Sequence, residues 1–220
     1  MFTGIVENLG TVISTRRLKG RTYALRIDLG KMIRNVQKGD SFAVNGVCLT
    51  IVGKRGTIGS FEVISETLSR TDLGTLEPGS RVNIERSMLL EQRISGHLVM
   101  GHVDGTGKIV SANPQKDGST KVWISADRKL TSMMVEKGAV ALDGVSLTLV
   151  DVSDRRFSVC LIPHTLKVTT LGIKGKCDLV NIEADYIGKY VVKLASHYRG
   201  TLQSISISGI RYGQKLRNSR

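Results

Sequence analysis

The chain carries the same segments twice at a fixed distance. Gly46-Val47-Cys48-Leu49-Thr50 returns as Gly144-Val145-Ser146-Leu147-Thr148, and Val82-Asn83-Ile84-Glu85 returns as Val180-Asn181-Ile182-Glu183, both at a spacing of 98 residues. At the same spacing of 98, Thr67-Leu68-Ser69-Arg70-Thr71-Asp72-Leu73-Gly74 returns as Thr165-Leu166-Lys167-Val168-Thr169-Thr170-Leu171-Gly172. Solenoid repeats run at roughly 20–50 residues, so this period predicts two copies of a whole small domain. Each copy has roughly 90 residues, enough to bury a modest core. Near the start of each half the spacing falls to 97, with Thr3-Gly4-Ile5 against Met100-Gly101-His102, so one insertion or deletion separates the copies. Two copies of a pocket suit two copies of one ligand.

Both halves are rich in short β-branched runs, several alternating with period two as half-buried strands do. In the first half they are Ser41–Val44, Cys48–Val52, Ser60–Ile64 and Arg81–Glu85. In the second they are Lys121–Ile124, Ala139–Leu142, Ser146–Val152 and Phe157–Ile162. Turn signals punctuate them at Lys38-Gly39-Asp40, Asn45-Gly46, Pro78-Gly79, Lys137-Gly138 and Asp143-Gly144. Many short strands with regular turns predict a small barrel or sandwich, and closure removes exposed strand edges. Short helical pieces are expected at Leu68–Leu73 and Leu166–Leu171. A longer one follows the repeat, where Ile187, Tyr190, Val191, Leu194, Ala195 and Tyr198 form one apolar stripe and Gly200 offers a stop. The expected organisation is a first domain over 1–97, a second over 98–185, a helix over 186–199 and a basic tail over 200–220. The stripe has to be buried, on its own domain or at a subunit interface.

With 40% hydrophobic and 23% charged residues, the composition is that of an ordinary folded domain rather than a disordered chain. No apolar run approaches the roughly 18 residues that span a bilayer. The first residues show no secretory leader. Cys48, Cys160 and Cys177 are an odd set without metal spacing, which argues against a disulfide framework or a zinc site and for a reducing cytoplasm. Of the formal net charge of +13, seven units come from the last 35 residues, which hold no acid. Such a tail could contact a polyanion, but no basic-aromatic pattern or nucleic-acid motif accompanies it, so nucleic acid is not the expected partner.

Four segments together carry a resemblance: Met1-Phe2-Thr3-Gly4-Ile5-Val6, Asn45-Gly46-Val47-Cys48-Leu49-Thr50, Ser95-Gly96-His97-Leu98-Val99-Met100-Gly101-His102-Val103, and Asp143-Gly144-Val145-Ser146-Leu147-Thr148. They resemble the riboflavin synthase family of the alpha-chain type, over roughly residues 1–195. The resemblance implies a mostly β fold: two tandem six-stranded Greek-key barrels followed by a C-terminal helix that assembles a homotrimer. It implies dismutation of two 6,7-dimethyl-8-ribityllumazine molecules without cofactor or metal. One molecule gains a four-carbon unit and becomes riboflavin; the other becomes 5-amino-6-ribitylamino-pyrimidinedione. It places the working site between the N-terminal barrel of one subunit and the C-terminal barrel of its neighbour. It leaves association with lumazine synthase open. A non-catalytic lumazine- or flavin-binding protein of the same double-barrel kind is the alternative.

The reaction needs a base for the acidic methyl group of one lumazine and a nucleophile for the ring of the other. His102 is the leading acid/base candidate, since imidazole titrates near neutrality. Cys48, Ser41, Ser146 and Thr148 are candidates to bind the ring or activate water, with Cys48 also readable as a small buried hydrophobe. Gly4-Ile5-Val6 and Gly101-His102-Val103 look like paired ligand-contacting strands, their glycines letting the backbone approach a flat ring. The resemblance adds Leu49 and Thr50; Glu62, Val63, Ile64, Ser65, Glu66 and Thr67; Lys137; Leu147; and Cys160, Leu161, Ile162, Pro163, His164 and Thr165 as further binding positions. The halves differ where donor and acceptor tasks would differ: Cys48 faces Ser146, and Glu66 faces His164, across the repeat. His97 is read as structural, His197 as a neighbour of the helix stripe, and Phe2 as a shield or core residue.

Overall fold

In a computed structural model the residues described are 1–18 and 22–207, with side chains from 198 onward left aside. Strands β1 (Asn8–Arg17), β2 (Thr22–Asp28), β3 (Ser41–Val44), β4 (Val47–Arg55), β5 (Ile58–Ile64) and β6 (Arg81–Arg86) close into one barrel in the order β1-β2-β5-β4-β3-β6. Strands β7 (Gly105–Pro114), β8 (Thr120–Ser125), β9 (Ala139–Leu142), β10 (Val145–Ser153), β11 (Arg156–Leu161) and β12 (Leu179–Ala184) close a second in the equivalent order. The two six-stranded antiparallel barrels that the resemblance implies are present, one for each copy of the repeat.

The register locates the insertion. Thr11 pairs with Asp28 and Lys108 with Ser125, a shift of 97 on both strands, whereas Ser41–Thr50 and Ala139–Thr148 differ by 98. The extra residue of the second half therefore lies between β8 and β9. A short helix α2 (Arg128–Thr131) sits there, where the first half has a 3-10 turn, Gly30–Ile33. Bulges recur in both barrels, between Val12 and Ser14 and again between Ile109 and Ser111. They add the local twist that closure of so few strands requires.

Alternating residues fill each barrel. Leu25, Ile27, Phe42, Leu49, Ile51, Phe61, Val63 and Ile84 form the first core, and Ile124, Leu142, Leu149, Phe157, Val159, Leu161 and Ile182 the second. The expected helical pieces lie slightly earlier than their apolar residues indicated. They are α1 (Ser65–Arg70) and α3 (Pro163–Val168), each followed by a 3-10 turn.

The barrels meet at their β3–β4 and β9–β10 hairpins. Asn45 and Gly46 both have positive φ, as do Asp143 and Gly144, giving the two-residue primed turns that match strand twist. These turns lie back to back: a Cβ on Gly46 would stand 2.5 Å from the Gly144 nitrogen. Around them a polar core crosses the interface. Asn83 Nδ2 donates to the Asp143 carbonyl (2.9 Å), and Asn181 Nδ2 donates to the Asn45 carbonyl and to Asp72 Oδ1 (both 2.8 Å). Thr170 N donates to Asn83 Oδ1 (2.8 Å), and Asp72 N to Asn181 Oδ1 (2.7 Å). Lys174 Nζ bridges Asp72 (3.1 Å) and Asp143. Complete burial pushes the Asp143 carboxyl up to about 7, although Lys174 opposes the shift. Burial works against the Lys174 ammonium, but Asp143 and Asp72 outweigh it and hold its pKa above the usual lysine value.

Helix α4 (Tyr186–Ile207) corrects the expected stop at Gly200. A single glycine inside a helix costs only about 1 kcal/mol relative to alanine, so it weakens the helix without ending it. The remaining tail, 208–220, lies outside the described residues. One face of α4 is held to the second barrel through Gly188, close against the Met133 carbonyl, and through Lys189 Nζ, 2.7 Å from Asp104. On the stripe, Ile187, Tyr190, Val191 and Leu194 are each more than half exposed within the single chain.

Candidate active site

Two leading segments build the site by crossing over. Residues 2–6 precede the first barrel and residues 99–103 the second, and Phe2 and Val99 exchange backbone hydrogen bonds of 2.7 and 3.1 Å. Neither segment is the strand expected from the sequence; beyond that isolated bridge both are irregular. Thr3 N and Oγ1 donate to Glu85 Oε1 (2.6 and 2.8 Å) and Gly4 N to Glu85 Oε2 (3.1 Å), on the first barrel. The Gly4 carbonyl accepts from Ser146 N (2.8 Å), on the second. The other segment mirrors this. Met100 N and Gly101 N donate to Glu183 (2.7 and 2.9 Å), while the Gly101 carbonyl accepts from Cys48 N (2.9 Å). Burial raises both carboxyls, Glu85 and Glu183, against the lowering effect of these same donors. Both glutamates stand in the repeat, and that recurrence was the signal available for them.

Glycine is required at both crossings, where φ is +77° at Gly4 and +76° at Gly101. A Cβ there would lie 2.6 Å from Cβ of Ser146 or Cβ of Cys48. The crossover finishes a cleft on the first barrel with the other half's leading segment and repeats the same backbone contacts on the second barrel. In the first barrel, Cys48, Glu66, Thr67, Arg70, Thr71, Gly101, His102 and Val103 enclose about 170 Å³. Val103 packs onto the first core and Val6 onto the second. The equivalent positions in the second barrel are Ser146, His164, Thr165, Val168, Thr169, Gly4, Ile5 and Val6.

The candidates therefore divide into two sets. Cys48 and His102 share the first cleft. Glu66 there is paired with Arg70, a cation whose equivalent, Val168, is apolar. Ser146 belongs to the second cleft with Gly4, and Thr148 lies two residues along the same face of β10. Lys137 N donates to the Leu149 carbonyl (2.9 Å), which places Lys137 beside Thr148. Ser41 pairs across the sheet with Thr50, on the outer face that also carries Cys48. It borders a separate, larger cavity of about 400 Å³ with Arg34, Asp40, Arg86, Ser87 and Gln92. Glu62, Ile64, Ser65, Ile162, Pro163, His164 and Cys160 are exposed and Thr165 is half-buried along the two rims. Leu147 is half-buried against the second core. Leu49, Val63 and Leu161 turn inward, each no more than 5% exposed, and so can offer a ligand only their main chain.

His97, read from the sequence as structural, reaches the second set of candidates. Its Nδ1 lies 2.7 Å from Ser146 Oγ. Its backbone N donates to the Thr3 carbonyl (3.1 Å). Gly96 makes the approach feasible, because any Cβ there would collide with the Thr3 carbonyl and with Ser146. Burial lowers the His97 pKa below that of an ordinary imidazole, opposed by the negative charge of Asp185. Only the fold reveals this contact, since 49 residues separate the partners. Among the described residues, no group of three or more His, Cys, Asp or Glu side chains forms a metal site.

Tandem closed barrels, each met by its twin's leading segment, define a double-barrel small-ligand protein. Residues 3–87 and 100–185 both match the lumazine binding domain family. The chain belongs to the riboflavin synthase family. It is 44% identical over 191 residues to the riboflavin synthase of Actinobacillus pleuropneumoniae, covering 87% of this chain and 88% of that one. It is 40% identical over 193 residues to that of Bacillus subtilis, covering 88% and 89%. Among solved structures it resembles LumP complexed with riboflavin, with a TM-score of 0.76 and 26% identity over 84% of this chain and 99% of that one.

Proposed function

We infer that the chain is a transferase that makes riboflavin. Two molecules of 6,7-dimethyl-8-ribityllumazine exchange a four-carbon unit and leave as riboflavin and 5-amino-6-ribitylamino-pyrimidinedione. Its relatives support the class of reaction. The observation that carries the chemistry is one frame used twice with unequal side chains: Cys48, Glu66 and His102 in one cleft, Ser146, His164 and Ile5 in the other. A dismutation needs similar pockets for identical molecules and different groups for donor and acceptor. Holding both reactants in place offsets much of the entropic barrier of a bimolecular step. The exchange is redox-neutral overall and calls for no cofactor.

The finer assembly belongs to the same reading. The exposed apolar stripe of α4 supports a homotrimer in which the first cleft of one subunit faces the second cleft of its neighbour. The enzyme would act in the cytoplasm, and association with lumazine synthase is compatible with this arrangement. Mixing the purified chain with the lumazine alone and following riboflavin absorbance tests the reaction: one riboflavin should form for every two lumazines consumed. The likeness to LumP favours a second reading, a non-catalytic binder. That protein would show one tightly held ligand per chain and no turnover, whereas the enzyme should show two sites of different affinity.

A further inference from the structure

We propose that His97 is the general base of the second cleft, acting on the Ser146 hydroxyl. This rests on the four-carbon-transfer reading above. The contact at 2.7 Å joins an imidazole nitrogen to a hydroxyl on the strand that frames the ligand cleft. A base has to be uncharged to accept a proton. Burial keeps His97 so, while the Asp185 carboxylate favours the imidazolium once it forms. Asp185 is itself fixed at the start of α4, where its Oδ1 accepts from Ile187 N (3.0 Å). The two buried acids near this segment are already occupied, Glu85 by Thr3 and Gly4 and Glu183 by Met100 and Gly101. Serine and imidazole thus stand in the relation used wherever a hydroxyl is activated by a neighbouring base.

In the proposed step, Ser146 Oγ forms a bond to an electrophilic carbon of one bound lumazine ring. Its O–H bond breaks and the proton passes to His97 Nδ1. The electron pair of the attacked C=N bond moves onto the ring nitrogen. When Ser146 Oγ departs as the four-carbon unit leaves, the proton returns to it, so the protein ends unchanged and nothing is oxidised. Cys48, the counterpart of Ser146, belongs to the cleft with His102, so the halves would use different hydroxyl or thiol chemistry.

His97→Asn separates a base from a spacer. Its amide occupies nearly the position of Nδ1 and preserves the hydrogen bond to Ser146, but it cannot take a proton. The expected result is a fall in kcat of about 100-fold, with riboflavin affinity within about threefold of the unmodified protein. The acid limb of the kcat/KM profile below about pH 6.5 should become less steep, since one of the free enzyme's ionising bases is gone. Asp185→Asn should move the limb to lower pH. Activity retained and an acid limb of unchanged steepness in His97→Asn would overturn the proposal and leave His97 a spacer. Absence of turnover in the unmodified chain is a different failure, one of the reaction itself, and is seen before any variant is made.

Discussion

Replacing Gly46 with alanine tests whether the two barrels are held at a fixed separation. The new methyl would stand 2.5 Å from the Gly144 nitrogen and 2.9 Å from its Cα. Both are main-chain atoms, so no side chain can swing aside. Reaching an ordinary contact of about 3.5 Å would require the hairpins to part by about 1 Å. That shift would stretch the bond from Asn181 Nδ2 to the Asn45 carbonyl, now 2.8 Å, beyond hydrogen-bonding range. Left-handed strain contributes about 1–2 kcal/mol and overpacking about 1–3, so the whole loss should be about 2–5 kcal/mol. Gly56→Ala is the control: φ is +58°, yet nothing lies within 4 Å. It should carry only the strain of about 1–2 kcal/mol. Urea unfolding of both variants reads the difference, and thermal midpoints should fall by about 2–4 °C per kcal/mol in a chain of this size. A Gly46→Ala variant no less stable than Gly56→Ala would refute the fixed contact.

Lys174→Leu, which copies the symmetry-related Leu76, should strand Asp72 and Asp143 without a cation and cost about 3–5 kcal/mol at pH 8. A carboxyl raised to about 7 stabilises most when protonated, so the deficit should shrink toward pH 5 in paired urea titrations; a pH-independent deficit would contradict this. Tyr190→Glu together with Leu194→Glu should yield monomers with little turnover by light scattering and steady-state assay. A fully active monomer would remove the shared intersubunit site. His102→Gln should lower kcat by at least about tenfold while lumazine affinity changes little, and unchanged kcat would take His102 out of the chemistry.

Much of this was legible in the chain before folding. The repeat, the Asn45-Gly46 and Asp143-Gly144 turns and the alternating runs from Ser41 and Ala139 onward were enough to predict two small barrels or sandwiches, and the resemblance narrowed these to barrels. Strands β1, β2, β7 and β12 were not among the runs read from the sequence; in β1 and β7 bulges break the alternation and about half the residues are polar. The polar core around Asn45, Asp72, Asn83, Asp143, Lys174 and Asn181 could not be seen, because its partners are distant in sequence and many of its contacts form only across the twofold-like interface. The contact of His97 with Ser146 on β10 was hidden for a similar reason, since 49 residues separate the two. The end of α4 misled in the opposite sense, since Gly200 looked like punctuation where the helix merely tolerates it.

The crossing of residues 2–6 and 99–103 has a consequence for ancestry and dissection. Each half lends its leading arm to the other, so a half expressed alone would hold an unfinished cleft and an arm anchored only to its own glutamate. Two such halves could satisfy each other by swapping arms about the same axis, with Gly46 against its own copy, as an isologous dimer does. The present chain has the form of that dimer joined end to end. Once joined, its two copies of one pocket were free to diverge, Cys48 from Ser146 and Glu66 from His164, which no symmetric pair of identical chains could achieve.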